Sequence, residues 1–197
     1  MAIYRVTGAG QFRSFVFPLN IPNKPFIARL AVAPGNEDIV VTGSSRLIRT
    51  TNFFSAPGVP DWFYDSPELD AAVSALAFAP SYPGGETVAF GTANGQVWLN
   101  FAGRDSANID AGDAVPNRYV TAMAFHPRNA NLLYVALSGF DEGTPGKPGH
   151  LFKSANALSA APTWANISPP VNLPHNALVI DQGQTRAPPC SLSRPRL

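Results

Sequence analysis

Apolar residues in this chain fall into short runs split by polar corners, and the runs repeat. "VTAMAFHPRNANLLYVALSG" (120–139) is two apolar runs around the corner "HPRNAN", and similar phrases stand at 73–80, "VSALAFAP", and 27–34, "IARLAVAP". The phrases end at Pro34, Pro80 and Pro127, 46 and 47 residues apart, and a weaker fourth, "ALVIDQ", ends at Gln182, 55 residues further on. Strand-like units at a period of about 40–50 residues are the sequence signature of β-propeller blades. The predicted fold class is all-β, a propeller fragment of about three four-stranded blades in an incomplete ring.

Each unit divides into four predicted strands. The third gives "TAMAFH", "LLYVALS", "GHLFKSA" and "TWANIS"; the second gives "SALAFA", "ETVAFGT", "QVWLN" and a poor last strand near "SANID"; the first gives "ARLAVA", "DIVVTGS", "RLIRTTN" and "DWFYDS". A proline cannot donate to a ladder and suits the inner-strand ends. Asn94-Gly95, a strong short-hairpin signal, falls between the second and third strands of its unit. Ser66 and Glu68–Asp70 resemble a helix start, but the repeat places the following "VSALAF" on a strand. Ala75, Ala77, Ala79, Ala122 and Ala124 fit a crowded central strand. The expected organisation is a remnant of a preceding blade over 1–26, blades over 27–73, 74–119 and 120–175, and the start of a further blade over 176–182. A tail over 183–197 is expected to be disordered or out of register, as a reading-frame change in the coding DNA would make it, because "QGQTRAPPCSLSRPRL" loses the alternation.

Composition narrows the function classes. Charged residues are 14% and net charge is +1, with the basic residues scattered, so no surface suited to a phosphate backbone is expected and nucleic acid is excluded as a partner. Twenty prolines and sixteen glycines agree with many short strands and turns. The single Cys190 permits no intrachain disulfide and leaves the compartment open; it would be extracytoplasmic if a signal-bearing part precedes this sequence. "MAIYRVTGAGQF" is no signal peptide, and no apolar run reaches membrane-span length. His126, His150 and His175 lack zinc-site spacing, and "GAG" at 8–10 is too short for a dinucleotide fingerprint, so no metal and no cofactor are expected. "NIS" at 166–168 is followed by Pro169 and is set aside as a glycosylation site.

"LFKSANALSAAPTWANIS" (151–168) resembles the Asp-box or BNR repeat, Ser-x-Asp-x-Gly-x-Thr-Trp. Ser154, Thr163 and Trp164 match, Asn156 stands in the aspartate's place, and "ALSAAP" replaces the glycine turn. "LIRTTNFFSAPGVPDWF" (47–63) is a second worn copy, with Thr50 or Thr51, Asn52 and Trp62, and the second unit keeps no clear copy. The corner and "LLYV" also resemble the family's inner-strand, Asp-Pro, Leu-Tyr-Val pattern (YVTN-type), and the resemblance spans about residues 3–181. It implies a propeller related to sialidases, xyloglucan-degrading glycosidases, sortilin-like receptors and a photosystem assembly factor. In that family the box turn lies opposite the usual binding face, so Asn52, Asn156, Trp62 and Trp164 are expected to be structural: an Asn caps the turn's amides while the tryptophan packs beneath it.

The resemblance does not choose a reaction. The sialidase opening Phe/Tyr-Arg-Ile-Pro is absent, and "FRSFVFP" at 12–18 does not replace it. A two-carboxylate glycosidase needs acids roughly 5–10 Å apart across a cleft, and none of the thirteen acids sits in a motif announcing such a pair. The loops expected on the binding side are "GFDEGTPGKPGH" (139–150), with Asp141, Glu142 and His150, and "DAGDAVPNRY" (110–119), with Asp113, Arg118 and Tyr119; a solvated turn is the plainer reading of each. The expected function is a non-catalytic scaffold or binding module presenting these loops to a glycan or a protein. The alternative is a partial or inactive glycoside hydrolase. An incomplete ring also exposes strand edges and blade faces, which predicts self-association.

Overall fold

A computed structural model describes residues 3–6, 12–15, 29–80, 86–101, 105–140 and 144–169; the expected blade start at 176–182 and the tail at 183–197 lie outside them. Among the described residues the apolar runs form β-strands and no helix, hence none long and apolar enough to cross a membrane. An antiparallel hairpin, β1 (Ile3–Val6) and β2 (Phe12–Phe15), comes first. Three four-stranded antiparallel sheets follow, each in simple up-and-down order. The first holds β3 (Leu30–Ala33), β4 (Asn36–Gly43), β5 (Leu47–Thr50) and β6 (Trp62–Tyr64). The second holds β7 (Val73–Phe78), β8 (Val88–Thr92), β9 (Val97–Asn100) and the two-residue β10 (Ala107–Asn108). The third holds β11 (Val120–His126), β12 (Asn129–Leu137), β13 (Leu151–Ser154) and β14 (Trp164–Asn166). The inner strands β3, β7 and β11 lie side by side, so the sheets stand as successive propeller blades in an arc that does not close. Residues 66–72 are not helical; Leu69 and Val73 donate backbone N–H groups to the Ser45 and Ser44 carbonyls, tying the segment to the β4–β5 turn.

Side-chain size explains how the blades stack. Alternation gives each sheet two faces. At the inner strands the residues facing the preceding blade are bulky and those facing the following blade are small, while farther out Val41 and Leu47 of the first blade and Val97 and Leu99 of the second join the junctions. Ala31 and Ala33 of the first blade share one cluster with Leu76, Phe78, Val88 and Phe90 of the second. Ala75, Ala77, Ala79 and Ala89 of the second meet Met123, Phe125, Leu133 and Val135 of the third. Thus Ala75, Ala77 and Ala79 are small because the next blade's large residues lie against them. Two glycines carry the same logic: a Cβ on Gly43 would lie 2.3 Å from Val73 Cβ, and one on Gly91 would lie 2.4 Å from Val120 Cγ1. The first side chain of each new inner strand therefore rests directly on its neighbour's backbone.

Polar bonds tie the blades at inner and outer strands alike. Trp164 Nε1 donates to the Ile109 carbonyl at 3.1 Å, and Ser74 Oγ to the Val120 carbonyl at 2.7 Å. Arg49 Nε donates to Asp65 Oδ2 at 2.6 Å with both side chains largely buried, and Ser106 Oγ of the second blade donates to the Asp65 carbonyl at 2.7 Å. Burial raises the Asp65 pKa above its ordinary value even though Arg49 pulls it down. On the bulky face of the first blade, Ile3 of β1 packs against Ile48 and Trp62. Farther in, on β3, Leu30 and Val32 are 50% and 47% exposed.

Candidate functional site

The chain links β10 to β11 through 109–119 and β12 to β13 through 138–150, and these two connections meet. Asp110 organises the first. Its carboxylate accepts from the Ala114 amide at 2.8 Å and the Val115 amide at 3.1 Å, an Asp-capped turn. Asp110 is buried, and the lost hydration lifts its pKa from 3.8 to about 6 in spite of the two amides. Asp113 closes the turn with φ 50°, a left-handed conformation that aspartate tolerates better than most residues. The chain then passes over the β8–β9 hairpin, where Gly95 has φ 97° and a Cβ would lie 2.5 Å from the Arg118 amide nitrogen. The glycine that permits the hairpin also admits the neighbouring loop.

Arg118 and His150 form the junction. Arg118 Nη1 lies 3.3 Å from His150 Nδ1, and Arg118 Nη2 donates to the Gly149 carbonyl. Guanidinium groups only donate, so His150 Nδ1 is the acceptor and its proton sits on Nε2. His150 is 1% exposed, and its backbone N–H donates to Ser168 Oγ at 2.8 Å. Lys147 Nζ donates to the Asp113 carbonyl. The Tyr119 carbonyl accepts from Ser138 N–H at 3.0 Å while the residue stays exposed, and Phe140 is 69% exposed. Beside the junction, Asn117, Thr144, Pro145, Gly146 and Lys147 line an open depression of about 250 Å³.

The fold thus brings Arg118 and His150 into contact and ties Asp113 to the second connection through Lys147, while Tyr119 stays exposed beside Arg118 and Asp141 and Glu142 lie outside the described residues. Asp110 was not among the residues expected here. An aspartate in a Gly-rich turn gives no sign of burial, although "NIDAGD" does carry the Asx-turn signal: Asn108 Oδ1 accepts from the Asp110 amide at 2.9 Å. The buried charges serve the loops themselves. What faces outward is Tyr119, Phe140, Lys147, Asn117 and Thr144, suited to contact and hydrogen bonding. His126 ends β11, where its Nδ1 accepts from the Arg128 amide at 3.2 Å, and among the described residues no three His, Cys, Asp or Glu side chains group as metal ligands.

The turns at the other end of the sheets repeat one set of bonds. Asn52 Oδ1 accepts from the Asp61 amide at 2.9 Å, and Asn156 Oδ1 accepts from the Thr163 amide at 2.8 Å. The hydroxyls of Thr50 and Ser154 lie 2.9 and 3.3 Å from these same oxygens. Each turn is anchored on the start of its second strand: Asp38 Oδ1 accepts from the Phe54 amide at 2.6 Å, and the Asn131 carbonyl from the Ala157 amide at 3.0 Å.

No protein-family model and no curated protein sequence matches the chain. Solved β-propellers are similar to it in fold. The Myceliophteria thermophila Cps50 (Swd1) β-propeller domain matches at a TM-score of 0.48 and 11% identity, over 75% of this chain and 40% of that one. A chain of the Chaetomium thermophilum heterotrimeric Nup82 NTD–Nup159 TAIL–Nup145N APD complex matches at a TM-score of 0.51 and 15% identity, over 82% of this chain and 36% of that one. The chain spans less than half the length of either structure. Its sheets are those of a β-propeller.

Proposed function

We propose that this chain is a non-catalytic propeller scaffold of the BNR or Asp-box kind, which binds a protein or glycan through the loops at 109–119 and 138–150. The observation that carries this is the use of charge at the loop junction. The Asp110 carboxylate is occupied by two backbone amides, and the Arg118 guanidinium reaches the Gly149 carbonyl and His150. Aromatic and amide groups are what the surface offers to a partner. The matched bonds of Asn52 and Asn156 support the BNR kinship, and the heterotrimeric assembly of the similar Nup82 NTD complex supports a protein partner.

Two measurements on the purified chain test the reading. Binding is surveyed on a glycan array and a displayed-peptide library, with Tyr119→Ser/Phe140→Ser as the matched control, and hydrolysis is followed on aryl glycosides. The expected result is binding that the double variant loses, with no turnover. Turnover that disappears on substitution of Asp141 or Glu142 would establish the partial glycoside hydrolase instead.

A further inference from the structure

We propose that the Arg118–His150 contact is a proton-operated latch: a second proton on the His150 ring releases Arg118 and with it the 109–119 loop, so the loop face holds a partner near neutral pH and lets it go in acid. This rests on the loop-binding reading and adds its regulation. Both side chains are buried, and Arg118 Nη1 lies 3.3 Å from His150 Nδ1. A guanidinium has only donors, so the contact depends on the Nδ1 lone pair. In an imidazolium both nitrogens are donors, and a second positive charge would stand against the guanidinium away from water. One proton thus turns a hydrogen bond into a repulsion. Histidine is the side chain that ordinarily takes up its proton between about pH 5 and 8.

His150 is the fixed side of the latch. Its N–H donates to Ser168 Oγ at 2.8 Å, its carbonyl accepts from the Leu137 amide at 2.9 Å, and the Pro148 carbonyl accepts from Asn166 Nδ2 at 2.8 Å. These partners carry no charge and do not titrate. Arg118 is the side that gives way, one residue beyond the backbone bond from Ser138 N–H to the Tyr119 carbonyl. Asn117 and Tyr119 flank it in the chain. Asn117 forms one wall of the depression and Thr144 to Lys147 the other, so the position of Arg118 sets how the two walls meet. The β8–β9 hairpin reaches Arg118 with uncharged Gly95. The other charged groups described on the two connections are Asp110, Asp113 and Lys147. Lys147 Nζ donates to the Asp113 carbonyl, a tie that does not titrate in this range. Asp110 does titrate there, with its pKa at about 6, and it holds the Ala114 and Val115 amides of the same loop. The test therefore separates Asp110 from His150.

Amide hydrogen exchange on the full chain reads the latch without a ligand, each rate being divided by that of an unstructured peptide at the same pH. It is measured at pH 7.5 and 5.0 on Asp110→Asn and on Asp110→Asn/His150→Asn, where an amide oxygen replaces Nδ1 as an acceptor that cannot titrate. In Asp110→Asn the Asp113 and Arg118 amides should lose protection by roughly tenfold or more on acidification, while Met123 and Val135 of β11 and β12 keep theirs. The His150→Asn chain should show no such loss. Should it misfold by circular dichroism, Arg118→Gln replaces it: with the guanidinium gone, nitrogen-15 spectra of the imidazole should show His150 taking its second proton at a higher pH than in its parent. Equal protection at both pH values, an equal loss in the His150→Asn chain, or a His150 titration unmoved by Arg118→Gln overturns the proposal. The glycan array and the displayed-peptide library, probed at both pH values, read the binding half. Binders found at pH 7.5 should weaken at pH 5.0 by roughly the same factor in Asp110→Asn and hold in the His150→Asn chain. Binders that hold in both while the loop loses protection also overturn it. An array and library silent at both pH values would instead sink the loop-binding reading, and the exchange result would still decide the latch.

Discussion

Val73 sits on the backbone of Gly43, and one blade later Val120 sits on Gly91 in the same way. A Cβ added at either glycine falls within 2.6 Å of at least two atoms of the valine above it. These atoms lie at or next to the valine Cβ, so the clash cannot be relieved by swinging a side-chain tip. The blade spacing is therefore fixed at the inner strands.

Gly91→Ala should destabilise the fold by ~1–3 kcal/mol, the usual cost of overpacking a filled core. In a chain of this size each kcal/mol lowers the melting temperature by roughly 2–4 °C. Gly91→Ala/Val120→Ala should recover part of the loss, whereas Gly91→Ala combined with a substitution in the first blade, away from this contact, should be additive. Urea unfolding checks both.

The two box-like asparagines should respond differently to aspartate. Asn156 uses its carbonyl oxygen for the Thr163 amide and hydroxyl, and its Nδ2 makes only a long 3.4 Å bond to the Ala161 carbonyl, so Asn156→Asp keeps the shorter bonds and should cost little. Asn52 also donates from Nδ2 to Asp61 Oδ2 at 2.9 Å, so Asn52→Asp sets two carboxylates face to face. Asn52→Asp should cost ~1–2 kcal/mol at neutral pH, and the cost should shrink below pH ~4, where one carboxyl is protonated. Alanine at either site should cost on the order of 1 kcal/mol.

Asp110 predicts a pH dependence. Its folded pKa is raised from 3.8 to about 6 by burial. Between these values the folded chain binds more protons than the unfolded one, so this group's contribution to stability falls as pH rises from about 4 to about 6 and is level beyond. Asp110→Asn keeps an acceptor for the Ala114 and Val115 amides and removes the titration. The variant should gain on wild type across that window, by an order of 1–3 kcal/mol at pH 7. Melting curves at pH 4, 5, 6 and 7 give the difference directly.

The Arg49–Asp65 pair should be costly to break and cheap to replace. Side-chain exposures are 7% and 12%, and burial has already raised the Asp65 pKa despite the arginine. Asp65→Ala strands a buried guanidinium and should cost ~3–5 kcal/mol. Arg49→Leu/Asp65→Leu should be markedly more stable than the single variant. A double-mutant cycle by chemical denaturation provides the test, and equal losses in the single and double variants would count against it.

Much of the architecture is legible in the chain because two periods coincide: alternation along each strand, and the return of the inner phrase ending at Pro34, Pro80 and Pro127. The twelve strands of the three sheets follow from these. Which face meets which neighbour does not. Alternation creates two sides without assigning them, and only packing shows that Ala75 and Ala77 look forward while Leu76 and Phe78 look back. Gly43 and Gly91 are inconspicuous within strands for the same reason. Of the loop residues, Arg118 and His150 stand out as charged or titratable groups beside turns, but their partnership spans 32 positions and no local pattern encodes it. Asp110 is silent because its burial is created by the loop it folds.

The pairing of a large-residue face with an alanine face has a consequence for descent. Because both junctions among the described residues use the same mating pair, a gene that gains or loses one whole module by unequal crossing-over leaves such junctions matched without repair. Half a module would not: it would set bulk against bulk or leave a void, and selection would remove it.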